Sequence, residues 1–177
     1  SGDDANHRDR HAAFFEEMAV RTYDKRFDRE AELAEELERE HDNLRAALDV
    51  LGEVGRLQRR LRLAGRLGWF WHVRSHLSEG RDRLSEALAG TPSRDEDRAC
   101  ALLAAGELAA SQGDGAAAIP LIEEAQSIWR QLGREQEIAL GLHHLGWAHS
   151  SVGDLHTARE YMERSLELQK KLGRPFL

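Results

Sequence analysis

Three glycines recur along the chain at nearly equal spacing, and each starts a similar series of small residues. Gly68, Gly106 and Gly146 are 38 and 40 residues apart. From Gly146 the series continues with Gly153 at seven residues and Ala158 at twelve. This spacing predicts two short helices that cross at Gly146 and Ala158 and turn at Gly153. A fixed period of this length is typical of a helical array.

The three repeats share small residues, turn glycines and, in one case, a closing proline at matching positions. These residues are Leu67-Gly68, Ala105-Gly106, Leu145-Gly146, Gly80, Ala118, Ala158, Gly113, Gly153 and Pro92. They resemble the tetratricopeptide repeat (TPR), although Ser75 replaces one turn glycine and the period exceeds that family's roughly 34 residues. The resemblance implies an all-α, right-handed α-solenoid of TPR-like hairpins, with about eight helices in four antiparallel pairs. We expect the seam of the last pair to contain Leu142, Leu145, Met162 and Leu166.

The chain divides into two regions by this pattern. Residues 1–54 predict a helical pair without the small-residue series, which we interpret as an N-terminal adaptor or cap. Its second helix is predicted as one continuous element from Asp28 to Leu51, because leucines recur there at threes and fours. Residues 55–177 hold the three repeats, at about 56–92, 94–133 and 134–173, in one continuous domain.

The amino-acid sequences of the repeats show a second resemblance. Segments such as SIWRQLG and LHHLGWAHSSVGD are similar to the helical sensor arms of large bacterial signal-transduction ATPases and LuxR-type (MalT-like) transcriptional regulators. This resemblance implies a fragment of a longer protein, with an ATPase or DNA-binding domain as its neighbour. Residues 174–177 follow a predicted helix directly, which favours the same interpretation.

Composition disfavours several classes of function. The formal net charge is −7, which argues against direct binding of nucleic acid. No apolar run approaches the roughly 18 residues of a membrane span. Cys100 is the single cysteine, consistent with a reducing, cytoplasmic location. The arginine run of the first repeat (Arg56, Arg59, Arg60, Arg62 and Arg66) is expected to pair in part with the acidic helix before it.

Enzyme signatures are missing from the sequence, and no metal or other cofactor is expected. There is no GxxxxGK[ST], GxGxxG, GxSxG or CxxC motif. The pairs His7/His11 and His72/His76 have the i, i+4 spacing of zinc ligands, but neither has a third ligand on its own helix. The single Glu-x-x-His, from Glu38 to His41, lacks the second copy that a di-iron bundle needs. We therefore interpret these histidines as surface or groove residues.

A candidate groove follows from the TPR resemblance, in which the first helix of each pair lines the concave face. Three positions per helix share that face, at three before, one after and four after each starting glycine. With Arg62 from the arginine run, the candidate residues are Arg62, Trp69, His72, Glu107, His143, Trp147 and Ser150. Exposed tryptophans suit ligand or peptide recognition. The alternative is that Trp69 and Trp147 pack on neighbouring helices.

The sequence thus favours a non-catalytic TPR module that binds a protein, a peptide or a neighbouring domain in its groove. A different hypothesis is a sensor domain, in which a small ligand or peptide effector binds the same Trp/His/Glu groove. Homodimerisation is a further expectation, because helical arrays expose apolar surface at their ends. Tyr161, Leu168 and Leu172 are the candidates for that contact.

Overall fold

The computed structural model describes residues 2–173, with side chains from residue 7 onward. Within that range the chain forms nine α-helices: α1 (Gly2–Asp24), α2 (Glu30–Arg39), α3 (His41–Glu53), α4 (Leu57–Val73), α5 (Leu77–Ala89), α6 (Glu96–Ser111), α7 (Gly115–Leu132), α8 (Glu135–Ser151) and α9 (Leu155–Leu172). Ser1 and residues 174–177, which include the expected abrupt end, lie outside the described part. Each of the described helices is too short or too polar to cross a membrane.

The last six helices form three hairpins, α4–α5, α6–α7 and α8–α9, as the glycine series predicts. Each hairpin turns through a residue with positive φ: Ser75 at 62°, Gly113 at 78° and Gly153 at 83°. Glycine adopts this backbone conformation without steric cost, whereas a residue with a side chain adopts it at a cost. Ser75 therefore occupies a glycine position of the repeat and has the same positive-φ backbone conformation as the glycines in the other two turns.

The small residues permit close helix contacts, although not all in the same place. A Cβ atom on Gly146 would lie 2.6 Å from Met162 Cγ, so this glycine faces the second helix of its own pair. A Cβ on Gly68 would instead overlap Ala104 Cβ, in the next pair. The α4–α6 contact is thus especially close, and it fixes the first helices of two successive pairs against each other.

The predicted helix from Asp28 to Leu51 is wrong as one element, because it is broken into α2 and α3 at Glu40. Glu40 has φ −102° and ψ 8°, outside the helical range. Neither glycine nor proline occurs between Asp28 and Leu51, so propensity does not signal the break. Tertiary packing overrides propensity here: the change of direction lays α3 against both α1 and α4.

In the seam of the last pair Met162 of α9 faces Gly146 as predicted, but Met162 and Leu166 do not fill the seam as buried residues, because they are 39% and 47% exposed. The residue at Met162's place in the series is Ile122 in the preceding pair and Leu84 in the pair before, and both are fully buried. Each of those pairs is covered by the next one. Within the described residues no helix follows α9, so this face stays open, whereas Tyr161, Leu168 and Leu172 are half-buried.

The arginine run of α4 forms ion pairs, but its partners are not on the acidic helix α2. The pairs are Arg59 with Asp9 and Glu16, Arg60 with Glu86, Arg62 with Glu16 and Asp97, and Arg66 with Glu96 and Asp97. The acidic helix instead pairs with arginines outside the run, through Glu36 to Arg21 and Glu38 to Arg74. The ion pairs of the arginine run connect α4 to α1, α5 and α6. The exposed pairs contribute only about 0–1 kcal/mol each.

Candidate functional site

A cavity of about 270 Å³ lies among the first helices of the three hairpins, α4, α6 and α8, and is bordered by the end of α1. Four of the predicted groove residues line it: Trp69, His72, Glu107 and His143. Among the further lining residues, Tyr23, Arg26, Phe27, Glu30 and His144 were not predicted. Four of these come from the end of α1, the turn after it and the start of α2. The groove positions of the repeats gave no signal for them, because those positions concern only the hairpins.

Glu107 of α6 is the central charged group of the cavity. Its Oε1 lies 2.9 Å from Nδ1 of His72, and the Glu107 side chain is only 19% exposed. Burial raises the pKa of Glu107, but attraction to His144 and the hydrogen bond with His72 outweigh this and hold the pKa below its usual value. The same hydrogen bond raises the pKa of His72. Glu107 is therefore an ionised carboxylate in a largely buried site.

His144 lies deeper than its neighbour on α8 and is buried. Its Nδ1 has no hydrogen-bond partner. Burial lowers the pKa of His144, and Glu107 opposes that shift. The pKa of His143 is lowered for the same main reason. Burial thus lowers the pKa of both His143 and His144 beside one carboxylate, and a buried ring nitrogen of His144 is available for a hydrogen bond.

The two predicted tryptophans have different surroundings. Trp69 is buried, and its Nε1 has no hydrogen-bond partner, although its side chain borders the cavity. Trp147 is half-buried, with its ring centroid 6.1 Å from that of His72 and 6.4 Å from that of His144. Trp147 therefore lies beside the His/Glu group outside the cavity lining, whereas Trp69 packs mainly in the helical core.

Arg62 and Ser150 lie away from the cavity. Arg62 Nε is 3.0 Å from Asp97 Oδ2 and its Nη1 is 3.4 Å from Glu16 Oε1, so the guanidinium joins α1 to α6. Ser150 borders a different groove, of about 340 Å³, which runs along the open face of α9 beside Met162 and Leu166. The structure thus groups four of the seven candidate residues in one cavity and leaves Trp147 adjacent to it.

The single cysteine, Cys100, lies at the buried wall of the cavity. Its Sγ is 3.7 Å from the hydroxyl oxygen of Tyr23. Burial raises the pKa of the Cys100 thiol, and burial together with Cys100 raises that of the Tyr23 hydroxyl. A thiol kept protonated is a weak nucleophile. This environment assigns Cys100 to packing between α1 and α6.

The comparisons with known proteins concern the fold. Residues 97–171 match the family model described as tetratricopeptide repeat. No curated protein matches the sequence.

Two crystal structures share the fold. BtubC (BKLC) from P. vanneervenii aligns with a TM-score of 0.67 and 16% identity, over 94% of this chain and 66% of that one. A variant of a Podosopora anserina protein, described as a kinesin light chain with nearly identical TPR-like repeats, aligns with a TM-score of 0.61 and 19% identity. That alignment covers 93% of this chain and 77% of the other. The chain thus spans just under two thirds of BtubC. Residues 97–171 thus match the tetratricopeptide-repeat model, and the chain folds as an all-α, TPR-like solenoid.

Proposed function

We propose that this chain is a non-catalytic protein-interaction module, in which a segment of a partner protein binds the cavity between α4, α6 and α8. TPR domains generally bind proteins, and the cavity lies among the first helices of its hairpins. The observation that carries the proposal is the Glu107 carboxylate, which is ionised and flanked by His72 and His144 in a largely buried site. A buried charge of this kind is expensive unless it has partners.

The chemistry of the cavity specifies the segment that it accepts. Glu107 is an acceptor, and it is ionised. Trp69 and Leu103 supply an apolar wall, and Phe27 is largely exposed at the rim. We therefore propose a partner side chain that combines an apolar body with a donor or cationic end, inserted from an extended peptide. Such side chains are amphipathic in the same way as those that dominate protein interfaces.

The size of the cavity favours this function over ligand sensing. Small-molecule sites typically measure about 300–1,000 Å³, and this cavity measures about 270 Å³. A single inserted side chain suits that volume better than a drug-sized effector does. A small effector remains the second candidate, supported by the convergence of His72, Glu107 and His144 on one cavity. Tryptophan fluorescence of the chain alone, titrated with candidate effectors, separates the two because only the second candidate requires a response without a protein partner.

Selection of peptides from a displayed random library, with the chain as bait, tests the interaction directly. We expect the enriched peptides to bind at least tenfold more weakly to Glu107→Gln than to the unchanged chain. Glu123→Gln is the matched control, because Glu123 is an exposed carboxylate on α7, outside the cavity. Enriched peptides that bind both variants equally would contradict the proposal.

We also propose that the module works in the cytoplasm as a part of a larger bacterial regulator, next to an ATPase or DNA-binding domain. The support is the resemblance of its repeats to the sensor arms of such regulators. In this arrangement, residues 1–54 cap the three repeats of residues 55–177, and the partner segment comes from another protein or from a neighbouring domain. The coding sequence on either side of this chain tests the proposal, since it predicts a nucleotide-binding loop or a helix-turn-helix there.

The open face of α9 adds a second contact to the proposal. Leu155, Met162 and Leu166 are exposed along it and border the groove of about 340 Å³. We propose that a second copy of the chain covers this face and forms a homodimer. Sedimentation velocity is expected to show a dimer that Leu166→Glu converts to a monomer. A chain that is monomeric at high concentration would contradict this contact.

A further inference from the structure

A second group of histidines and carboxylates lies outside the groove, where α2, α3 and α5 meet. Glu38 is in the last turn of α2, and His41 begins α3. His76 precedes α5, and Glu79 is in its first turn. The sequence therefore has a Glu-x-x-His motif that ends at His41 and a His-x-x-Glu motif that begins 35 residues later, at His76. The fold brings the two short motifs together.

The donor atoms of this group are close enough to share one ion. Atoms of Glu38, His41 and His76 that could act as ligands lie within 4.8 Å of one another. His76 Nε2 is 3.0 Å from Glu38 Oε2, and His41 Nε2 is 3.3 Å from Glu79 Oε1. Zinc at about 2.0–2.1 Å from each ligand places tetrahedral ligands about 3.4 Å apart. Two contacts already lie near that spacing, and the remaining contacts among Glu38, His41 and His76 need to close by at most about 1.5 Å.

His41 provides an independent observation that points to a bound cation. It is 7% exposed, and its Nε2 is buried without a hydrogen-bond partner, since the contact with Glu79 lacks hydrogen-bond geometry. Buried polar atoms are otherwise almost always paired. Its ring is held edge-on against Phe70, with 5.1 Å between centroids, and 4.5 Å from the ring of His76. Ion pairs with arginines satisfy the carboxylates of Glu38 and Glu79, but they leave His41 Nε2 without a hydrogen-bond partner.

The surrounding arginines define how a metal would fit. Arg45 donates from Nε and Nη2 to the two oxygens of Glu79, at 2.8 and 2.7 Å. This contact can persist beside a metal, because a ligating carboxylate is usually hydrogen-bonded as well. Arg74 Nε lies 3.1 Å from Glu38 Oε2, the same oxygen that His76 contacts. Arg74 therefore competes with a cation for Glu38.

We propose that Glu38, His41, His76 and Glu79 form a zinc-binding site that fastens α2 and α3 to the start of α5. Two imidazoles and two carboxylates are a donor set that zinc accepts, whereas calcium and magnesium prefer oxygen ligands alone. The site is distinct from the groove, because His72 and Glu107 belong to the other group. Its role is structural: α2 presents few buried residues, namely Leu33, Ala34 and Leu37, and the ion holds it on the first hairpin.

Titration calorimetry of the chelator-treated 177-residue chain with Zn²⁺ tests the site, with Co²⁺ absorption as the readout of tetrahedral geometry. We expect one ion per chain. His76→Gln and Glu38→Gln are expected to weaken binding by more than about 100-fold, since even outer-shell changes weaken metal sites 10- to 100-fold. Arg74→Gln is expected to strengthen it. These three residues are only partly buried, so the variants are expected to fold, and circular dichroism verifies this.

His156→Gln is the matched control, because His156 forms an exposed i, i+4 contact with Glu160 and should leave zinc affinity unchanged. His72→Gln tests the groove as the alternative location, and the double variant His7→Gln/His11→Gln tests the N-terminal pair. The proposal is overturned by a chain that binds no zinc at micromolar concentration. It is equally overturned if binding survives in His76→Gln, or if His72→Gln or the N-terminal double variant abolishes it.

Discussion

His72 and His76 are four residues apart, yet they belong to two groups with different chemistry. His72 lies in the last turn of α4 on the groove side, 2.9 Å from Glu107, which forms no ion pair with an arginine within the described residues, although Arg26 lines the same cavity and attracts it. His76 follows the turn at Ser75 and faces Glu38 and His41, where Arg74 and Arg45 neutralise the carboxylates. Their i, i+4 spacing would place both on one side of a single helix, where the sequence offers no third zinc ligand. The turn at Ser75 separates them, so spacing indicates shared chemistry only where the helix continues.

The largest expected effect comes from breaking the helix contact that builds the groove group. In Gly68→Ala the new Cβ overlaps Ala104 Cβ at the α4–α6 contact. Overpacking of a core typically costs about 1–3 kcal/mol, and we expect a loss in that range by urea unfolding. Gly90→Ala is the control, since a Cβ there would lie 3.5 Å from the nearest atom and its φ is −80°.

Gly68→Ala also tests how independent the two groups are. The α4–α6 contact carries His72 and Glu107, whereas Glu38, His41 and Glu79 lie on α2, α3 and α5, and His76 directly precedes α5. We therefore expect the His72 pKa to fall while zinc affinity stays within about threefold, a difference below 1 kcal/mol. Equal loss in both groups would mean that they form one cooperative unit.

The second effect is a pH dependence of stability set by the groove histidines. Burial lowers the pKa of His144 and His143, so the unfolded chain binds protons near pH 6.5 that the folded chain does not. Stability therefore falls as pH decreases below about 6.5, with a slope of at most about 1.4 kcal/mol per pH unit for each group. The pKa of His72 is raised by Glu107, so its contribution is full below about pH 6.5 and is lost as pH rises through the folded pKa.

Urea unfolding between pH 5 and 8 measures both arms of this dependence. Glu107, His143 and His72 are the charged or titratable groups that act on His144. His144→Leu is expected to reduce the loss of stability on the acid side and to leave the alkaline side unchanged. A variant with the original acid-side slope would show that His144 does not stay neutral in the folded chain.

Much of the fold was predictable from residue spacing, because hairpin turns and close helix contacts leave local signals. Gly113 and Gly153 mark turns, and even Ser75 was placed at the correct turn position. The break at Glu40 was not predictable, since no helix breaker stands there and packing on α1 and α4 decides it. The exposure of Met162 depends on whether another helix packs on α9. Residue spacing within one pair does not encode this.

The candidate sites were less predictable than the fold. Trp69, His72, Glu107 and His143 were placed near one another because each lies at a fixed offset from its starting glycine. Contacts between elements that are far apart in the sequence have no fixed residue spacing from which they could be predicted. The approach of α1 to the groove, and of Glu38 to His76, required the three-dimensional arrangement.

A smaller effect isolates the hydrogen bond that distinguishes the groove group. Glu107→Gln removes the carboxylate charge and keeps the shape of the side chain. Hydrogen bonds to charged groups contribute about 1.5–3 kcal/mol, and neutral ones about 0.5–1.5. We therefore expect a loss of about 1 kcal/mol below pH 6.5, a lower His72 pKa by NMR titration and a weaker decline of stability on the alkaline side. An unchanged His72 pKa would contradict the assigned cause of its shift.

The smallest effect concerns the turn that separates the two groups. Ser75 has φ 62°, a conformation that costs a residue with a side chain about 1–2 kcal/mol relative to glycine. Ser75→Gly removes that strain but makes the unfolded chain more flexible, which offsets about 0.4–1 kcal/mol of the gain. We expect a net stabilisation of about 0.5 kcal/mol, with the His72 pKa and zinc affinity unchanged. Gly113→Ser is the reciprocal control, because Gly113 makes the corresponding turn at φ 78° and should lose a similar amount. If Ser75→Gly is destabilising instead, the serine side chain has a role in the turn beyond filling a glycine position, and the separation of His72 from His76 depends on it.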